Sequence, residues 1–294
     1  MKKGSEVVMN FTKMQGSGND FVLVETNDTR RDWSPVAIAM CDRHFGIGSD
    51  GLILVLPSDK ADFGMRMFDP DGSEAEACGN GIMCLAKLVF EKGLVSAEAD
   101  QLSVETIAGI RKLKLNKREG RLTSIQAGMG KPEFGAGDIP VVLKQGSEKI
   151  VYIKSMLSYP VTVDRTDLLL NLVSMGNPHA VYFSPQPVSD FPLSQLGPKV
   201  EHLAIFPKRT NFEVARIMNR QQIEVRVWER GVGETLACGS GACAVAVAAQ
   251  IHGHVDSKVD IKLLGGTLQV EWDGTGEVSM TGPAETVFTG EWPE

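Results

Sequence analysis

Hydrophobic and polar residues alternate along much of the chain, which is the pattern of half-buried β-strands. The clearest alternation runs through Ile223-Glu224-Val225-Arg226-Val227-Trp228, and Leu113-Lys114-Leu115 repeats it on a shorter scale. Two segments differ, because Ile82 to Lys92 and Ala242 to His252 are apolar nearly all round and long enough for buried helices. We therefore predict a strand-rich chain with two central helices.

The chain also repeats itself. Ala77-Cys78-Gly79-Asn80-Gly81 recurs as Ala237-Cys238-Gly239-Ser240-Gly241 at an offset of 160, and Gly18-Asn19-Asp20-Phe21 lines up with Gly176-Asn177-Pro178-His179 at an offset of 158. Two matches in the same order indicate a duplicated unit. We predict an α+β fold of two similar pseudo-symmetric domains, each a mainly antiparallel, β-barrel-like sheet around one central helix.

The Gly- and Pro-rich stretch from Pro132 to Pro140 marks the expected domain boundary. Residues 1–130 with 283–294 would form the half that carries Cys78, and residues 131–282 the half that carries Cys238. The last strand, near Glu285 to Phe288, would return to complete the first half.

Composition narrows the class of protein. The 294 residues are 43% hydrophobic and carry a formal charge of −7, without a stripe of Lys and Arg, so the expected partner is a small molecule and not nucleic acid. No secretory signal or membrane-length apolar run is found, and Met9 is a candidate natural start. We expect a cytoplasmic protein that contacts no membrane, and the sequence is compatible with a homodimer.

Five cysteines, an odd number, favour reduced thiols over a disulfide framework. Neither close pair, Cys78 with Cys84 or Cys238 with Cys243, has C-x-x-C spacing, so we expect no zinc or other metal site and no thioredoxin-type motif. Cys41, Cys84 and Cys243 are expected to be small core residues.

The duplicated cysteines have a chemical use. A thiol just before Gly-x-Gly and a helix lies at the positive end of the helix dipole, which should lower its pKa, while the N–H groups of the first turn can bind a carboxylate. Two such ends facing one molecule would place two thiols on opposite sides of a carbon. That arrangement suits 1,1-proton transfer at the Cα of an amino acid without a cofactor.

Other polar residues have two interpretations. Asn19 and Asn177 each follow a glycine, where Asn is commonly a turn former. Their matched positions in the two halves make ligand binding an equally strong interpretation. Glu229 and Arg230 would, taken alone, form a solvated pair at a strand end. His179 would be a hydrogen-bonded structural histidine.

The motifs together resemble those of diaminopimelate epimerase, in order and over nearly the whole chain from Met9. They are Gly16 to Phe21, Phe45 to Asp50, Asp71 to Glu74 leading into Ala77 to Gly81, Gly176 to His179, Arg209 to Asn211, and Trp228 to Thr235 leading into Ala237 to Ala242.

The resemblance implies the fold named for that enzyme and interconversion of LL- and meso-diaminopimelate, for lysine and cell-wall synthesis. It implies that Cys78 and Cys238 are the acid and base and that His179 and Glu229 tune these thiols. It also implies a set of substrate contacts: Gly79, Asn80, Gly239 and Ser240 at the reacting carboxylate, and Asn19, Asn177, Asn211, Glu229 and Arg230 elsewhere, with Arg230 pairing the distal carboxylate.

Two residues depart from the pattern. Asp69 stands where the family often has Asn, and Gly51 where some members have Gln. An ionised Asp69 accepts hydrogen bonds but cannot donate them, so it would contact an ammonium better than a carboxylate. We count it as a substrate-binding residue.

The nearest rival is a two-cysteine racemase acting on proline or hydroxyproline, whose substrate has no distal carboxylate for Arg230. From another class, the chain could be a thiol redox protein or a non-catalytic amino-acid binder. The absent C-x-x-C spacing argues against the first, and the matched thiols argue against the second.

Overall fold

A computed structural model describes residues 8–75, 78–142 and 151–293. Ala77, in the first copy of the duplicated motif, lies outside the described residues. The strands in that part of the chain are β1 (Val8–Gly16), β2 (Asn19–Glu25), β3 (Gly51–Leu56), β4 (Phe63–Phe68), β5 (Glu74–Ala75), β6 (Gln101–Thr106), β7 (Gly109–Arg118), β8 (Arg121–Gly128), β9 (Val151–Ile153), β10 (Met156–Val163), β11 (Thr166–Ser174), β12 (Pro178–Phe183), β13 (Asn211–Asn219), β14 (Gln222–Glu229), β15 (Gly233–Thr235), β16 (Lys258–Leu263), β17 (Gly266–Glu271), β18 (Ser279–Gly282) and β19 (Glu285–Pro293). The α-helices are α1 (Ser34–Cys41), α2 (Gly79–Glu91), α3 (Leu193–Glu201) and α4 (Gly239–Ile251).

The chain divides into two compact units. Unit 1 comprises residues 1–127 and 282–294, and unit 2 comprises residues 128–281. The segment expected to return to the first half lies in β19, which pairs antiparallel with β1.

The two units have the same strand connectivity. In unit 1, β2 pairs parallel with β3, β3 antiparallel with β4, and β4 parallel with β6. In unit 2, β12, β13, β14 and β16 repeat these three relations in the same order. The pairings of β1 with β2, β1 with β19, β10 with β11 and β11 with β12 are antiparallel. The α+β class, with mainly antiparallel sheets, is therefore confirmed.

A helix runs through each unit. The helix α2 contacts β1, β2, β3 and β19, and α4 contacts β11, β12, β13, β16 and β17. Nearly every residue of α4 is buried, because its Ala and Val side chains are apolar on every face. Both predicted helices are confirmed, although each begins three residues earlier than expected, at the glycine that follows the cysteine.

Two helices were not predicted. The short α1 carries Pro at its start, where a missing N–H costs nothing, and α3 contains Pro198 and few apolar residues. The proline and shortness of α1, and the proline and low hydrophobicity of α3, weaken the helical pattern, so tertiary packing decides these segments. The core of unit 2 contains Leu193, Leu196 and Val200 of α3.

A repeated ion pair confirms that the duplication extends to side chains. Arg66 of β4 forms a bidentate ion pair with Glu74, with Nε–Oε1 and Nη2–Oε2 distances of 2.5 and 3.0 Å. Arg226 of β14 binds Glu234 in the same way at 2.7 and 3.0 Å. In each unit the pair fastens the short strand that leads to the cysteine.

Candidate active site

Each duplicated cysteine is the N-cap residue of a helix. Cys78 has extended backbone angles, and its Sγ accepts a hydrogen bond from Gly81 N at 3.4 Å. Cys238 does the same with Gly241 N, also at 3.4 Å. N-cap side chains normally offer oxygen for this bond, so a sulfur in both units keeps the thiol against the first turn. The thiol therefore lies beside N–H groups that lack partners within the helix.

At the glycine three residues after each cysteine, a Cβ atom would collide with a neighbouring side chain. A Cβ at Gly81 would lie 2.7 Å from Ile53 Cδ1, and one at Gly241 would lie 2.8 Å from Glu213 Oε1. Ile53 and Glu213 stand in equivalent strands, one below each helix. The two units thus have the same local backbone arrangement, but an apolar side chain, Ile53, packs near the helix start in unit 1, and a carboxylate, Glu213, takes its place in unit 2.

In unit 1, Asn19 lies at the start of β2 and contacts both Cys78 and the helix. Its Oδ1 is 3.7 Å from Cys78 Sγ, which donates, and 3.2 Å from Asn80 Nδ2. Asn80 is almost fully buried, and its own Oδ1 has no hydrogen-bond partner. Asn19, Cys78 and Asn80 thus contact one another, and Gly79 lies between the last two at the start of α2.

In unit 2, Asn177 precedes β12 and contacts Ser240, the residue that corresponds to Asn80 of unit 1. Its Nδ2 donates to Ser240 Oγ at 3.3 Å, and Ser240 Oγ lies 3.5 Å from Cys238 Sγ. His179 Nε2 is 2.9 Å from Asn177 Oδ1. The structure therefore brings together Asn177, His179, Cys238, Gly239 and Ser240.

His179 is held from below by a carboxylate that the sequence analysis did not single out. Its Nδ1 lies 2.6 Å from Glu213 Oε1, and both side chains are fully buried. Glu213 Oε2 has no hydrogen-bond partner. The signal in the sequence was a charged residue at an inward-facing strand position, between buried Phe212 and Val214.

The expected lowering of the thiol pKa is wrong for Cys238. Burial raises its pKa well above the usual value, and the negative charges of Glu229 and Glu213 raise it further. Hydrogen bonds from Ser240 and Gly241 lower it by less. Desolvation of a thiolate therefore outweighs the helix N-terminus here, and Cys238 is a thiol at neutral pH.

Asp69 and Glu229 occupy equivalent positions at the ends of β4 and β14. The two strands have matching register, since Phe68 pairs with Glu74 and Trp228 with Glu234. Glu229 accepts a hydrogen bond from Thr235 Oγ1. Burial, followed by the charge of Asp71, raises the pKa of Asp69.

Arg230 lies in the loop after β14 and is hydrogen-bonded to Asn211, the first residue of β13. Arg230 N donates to Asn211 Oδ1 at 2.9 Å, and its exposed guanidinium contacts Lys208 O at 3.3 Å. A second carboxylate missed by the sequence analysis, Glu201, supports this loop. It is buried, and it accepts hydrogen bonds from Gly231 N at 2.9 Å and Trp228 Nε1 at 2.8 Å.

Gly51 begins β3, where it pairs with Phe21. A Cβ there would come within 3.0 Å of Phe68 O, so any larger residue needs the neighbouring strand to move. The three remaining cysteines, Cys41, Cys84 and Cys243, are buried, as expected. No helix among the described residues is long and apolar enough to span a membrane.

Solved structures share the fold at low sequence identity. A hydroxyproline epimerase from Agrobacterium vitis aligns with a TM-score of 0.70 and 14% identity, over 97% of this chain and 92% of that one. A phenazine biosynthesis protein of the PhzF family from Bacillus anthracis aligns with a TM-score of 0.69 and 18% identity, over 97% and 99%. At such identities the likeness shows the fold alone.

Sequence relatives are much closer. A diaminopimelate epimerase from Acetivibrio thermocellus is 47% identical over 96% of this chain and 98% of its own length, and one from Moorella thermoacetica is 47% identical over 97% and 99%. One from Methanococcus maripaludis is 45% identical over 96% and 99%. The sequence profile described as diaminopimelate epimerase matches residues 11–135 and 171–287. This chain therefore belongs to the diaminopimelate epimerase family.

Proposed function

We propose that this chain inverts one Cα of diaminopimelate by proton transfer between Cys78 and Cys238, converting the LL isomer to the meso isomer without a cofactor. The observation that carries the proposal is the pair of cysteine N-caps, each with a 3.4 Å hydrogen bond from the glycine three residues on. A protein that only binds an amino acid has no need for two such thiols.

The reaction exchanges protons and no other atoms. One cysteine, as thiolate, removes the proton from Cα, and the other, as thiol, adds a proton to the opposite face. The carbanion-like transition state carries negative charge toward the carboxylate. The N–H groups of Gly79, Asn80, Gly239 and Ser240 would stabilise that charge, each donor contributing on the order of 2.7–4 kcal/mol.

Glu229 and Asp69 would bind the α-ammonium group of the substrate. Each is an acidic side chain at the end of a strand, suited to a cation. The charge of Glu229 raises the pKa of Cys238 in the unliganded chain. An ammonium bound to Glu229 would offset that charge, so substrate would itself lower the pKa of Cys238 toward the value a base needs.

Arg230 would select for the second carboxylate of diaminopimelate. A guanidinium binds a carboxylate through two parallel hydrogen bonds, which a point charge cannot copy. We expect lysine, which lacks that carboxylate, and proline to be turned over negligibly. Comparable kcat/KM values for lysine and diaminopimelate would rule out this role, as would an Arg230→Lys variant with unchanged kcat/KM.

Isotope exchange tests the two-base mechanism. LL-diaminopimelate is incubated in D₂O, and deuterium at Cα is measured early in recovered substrate and in product. With two bases, the product carries deuterium while the remaining substrate keeps its protium. Deuterium that enters recovered substrate as fast as product would refute the two-base assignment.

Matched variants assign the thiols. Cys78→Ala and Cys238→Ala should each abolish epimerisation, because each thiol acts in both directions, once as acid and once as base. Cys84→Ala and Cys243→Ala are the controls, since these cysteines lie on the same two helices but are wholly buried. A Cys78→Ala or Cys238→Ala variant that retains turnover would contradict the proposal.

A further inference from the structure

Asn19 is fixed in unit 1 by a network of charged side chains. Its Nδ2 donates to Asp50 Oδ2 at 2.8 Å, and Asp20 N donates to the same oxygen at 3.1 Å. Asp50 Oδ1 binds Arg43 Nη2 at 2.7 Å. Each of these three contacts brings a donor to Asp50, so the group is an ion-paired carboxylate that only accepts hydrogen bonds.

The rest of the network is equally constrained. Arg43 Nη2 also binds Asp20 Oδ1 at 2.7 Å, and Lys13, which is buried, donates to Asp20 and to Gly48 O. Burial raises the pKa of Asp20, but the hydrogen bonds from Arg43 and Lys13 reverse this and hold it below its usual value. Arg43 thus bridges Asp20 and Asp50, and Lys13 brings a second cation to the network beside Asn19.

An acceptor-only partner determines which way an amide points. Because Asp50 requires the Nδ2 of Asn19, the Oδ1 of Asn19 must face the other side, where Cys78 Sγ and Asn80 Nδ2 lie. An acceptor facing a sulfur favours the thiol over the thiolate.

The matched asparagine of unit 2 is held the other way round. Asn177 directs Oδ1 to His179 and Nδ2 to Ser240, so Ser240 Oγ receives a hydrogen bond and can donate its own proton to Cys238 Sγ. At the duplication offset of 160, Asp50 corresponds to Thr210, whose hydroxyl binds Asn211 O. Unit 2 therefore has no carboxylate at that position.

We infer that Asp50 is a positioning residue that fixes the amide of Asn19, so that Cys78 faces an acceptor while Cys238 faces a donor. The two thiols are thereby made chemically unequal in a duplicated scaffold. The catalytic meaning of this difference rests on the proposed function, but the effect on Cys78 can be measured without turnover.

The test is the rate at which iodoacetamide alkylates Cys78 in the full-length protein between pH 6 and pH 10, followed by peptide mass spectrometry. In Asp50→Asn, the new amide can donate to Asn19 Oδ1, which lets Nδ2 of Asn19 turn toward Cys78 and favour the thiolate. We expect about tenfold faster alkylation of Cys78 at pH 7, because a donor facing the sulfur favours the thiolate.

Two variants separate positioning from general damage. Asp50→Glu keeps an acceptor-only group and should return the alkylation profile toward that of the wild type. Asp256→Asn is the matched control, because Asp256 also pairs with one arginine and its side chain is 42% exposed, against 41% for Asp50. It should leave the alkylation profile of Cys78 unchanged.

The other charged residues of the network, Lys13, Asp20 and Arg43, are unchanged in Asp50→Asn. Burial raises the pKa of Cys84, which lies on the same helix as Cys78. If Asp50→Asn does not fold, Asp50→Ser carries the same test, since a hydroxyl can also donate to Asn19. An unchanged Cys78 profile in a folded Asp50→Asn or Asp50→Ser variant, or an equal change in Asp256→Asn, would overturn the inference. Loss of the isotope pattern described above would instead refute the proposed function and leave this result standing.

Discussion

Removal of the Glu213 carboxylate tests how much the buried pair of Glu213 and His179, which lies close to Cys238, contributes to the stability of the folded protein. In Glu213→Ala, His179 Nδ1 loses its 2.6 Å partner in a site that water does not reach, and the missing side-chain atoms leave a cavity. Breaking a buried pair from one side typically costs 3–5 kcal/mol, because the partner left behind is buried and unpaired.

The size of the effect should depend on what replaces the carboxylate. Glu213→Gln keeps the shape and one oxygen that can accept from His179, so we expect a smaller cost of roughly 1–3 kcal/mol. Glu224→Gln is the control, since Glu224 lies on β14 in a surface pair with Lys262 at 3.4 Å. A change at such a position is usually within about 0.5 kcal/mol.

Urea unfolding followed by circular dichroism would measure these free energies, with the slope checked for a single transition. The expected order of destabilisation is Glu213→Ala, then Glu213→Gln, then Glu224→Gln. Glu213→Gln should also speed alkylation of Cys238, because the negative charge of Glu213 raises the pKa of that thiol. A Glu213→Ala protein within about 0.5 kcal/mol of the wild type would refute the argument that the buried pair is structural.

Three further outcomes are expected. Arg226→Lys should lower kcat more than Arg216→Lys, a control on the neighbouring strand β13. Lysine cannot reproduce the two parallel hydrogen bonds from Arg226 to Glu234, which hold the strand before Cys238 in place. Equal activity in the two variants would contradict this. Cys243→Ala should destabilise the protein by about 1–2 kcal/mol in thermal unfolding yet leave turnover largely intact, since it removes one buried sulfur from α4; lost turnover in a folded variant would show a wider role. Burial, and then the neighbouring His254, lower the pKa of His252, so protonation favours the unfolded chain and the free energy of unfolding should fall as the pH drops below about 6.5 toward the folded-state pKa. In His252→Gln, urea unfolding at pH 5 and pH 7 should show a smaller loss of stability at the lower pH. An unchanged pH dependence would contradict the assignment.

The sequence by itself determined the duplication, the two central helices and the positions of the two cysteines. These features are local, because a repeated motif and an apolar run are written in consecutive residues. The alternation at Ile223, Val225 and Val227 likewise placed the buried face of β14 correctly, since side chains of a strand point to opposite sides in turn. The motif set also placed the chain in its family.

Tertiary structure decided what surrounds the thiols. Glu213 stands 25 residues before Cys238 and Asp50 stands 28 before Cys78, so no local pattern connects them to the site. Only the pairing of β13 with β12 brings Glu213 under His179, and only the packing around β2 and β3 brings Asp50 to Asn19. The pKa of Cys238 depends on the same packing, because burial and two carboxylates outweigh the helix N-terminus that the sequence revealed. Desolvation and charge act through space, and the duplicated sequence therefore predicts two like thiols where the fold makes them different.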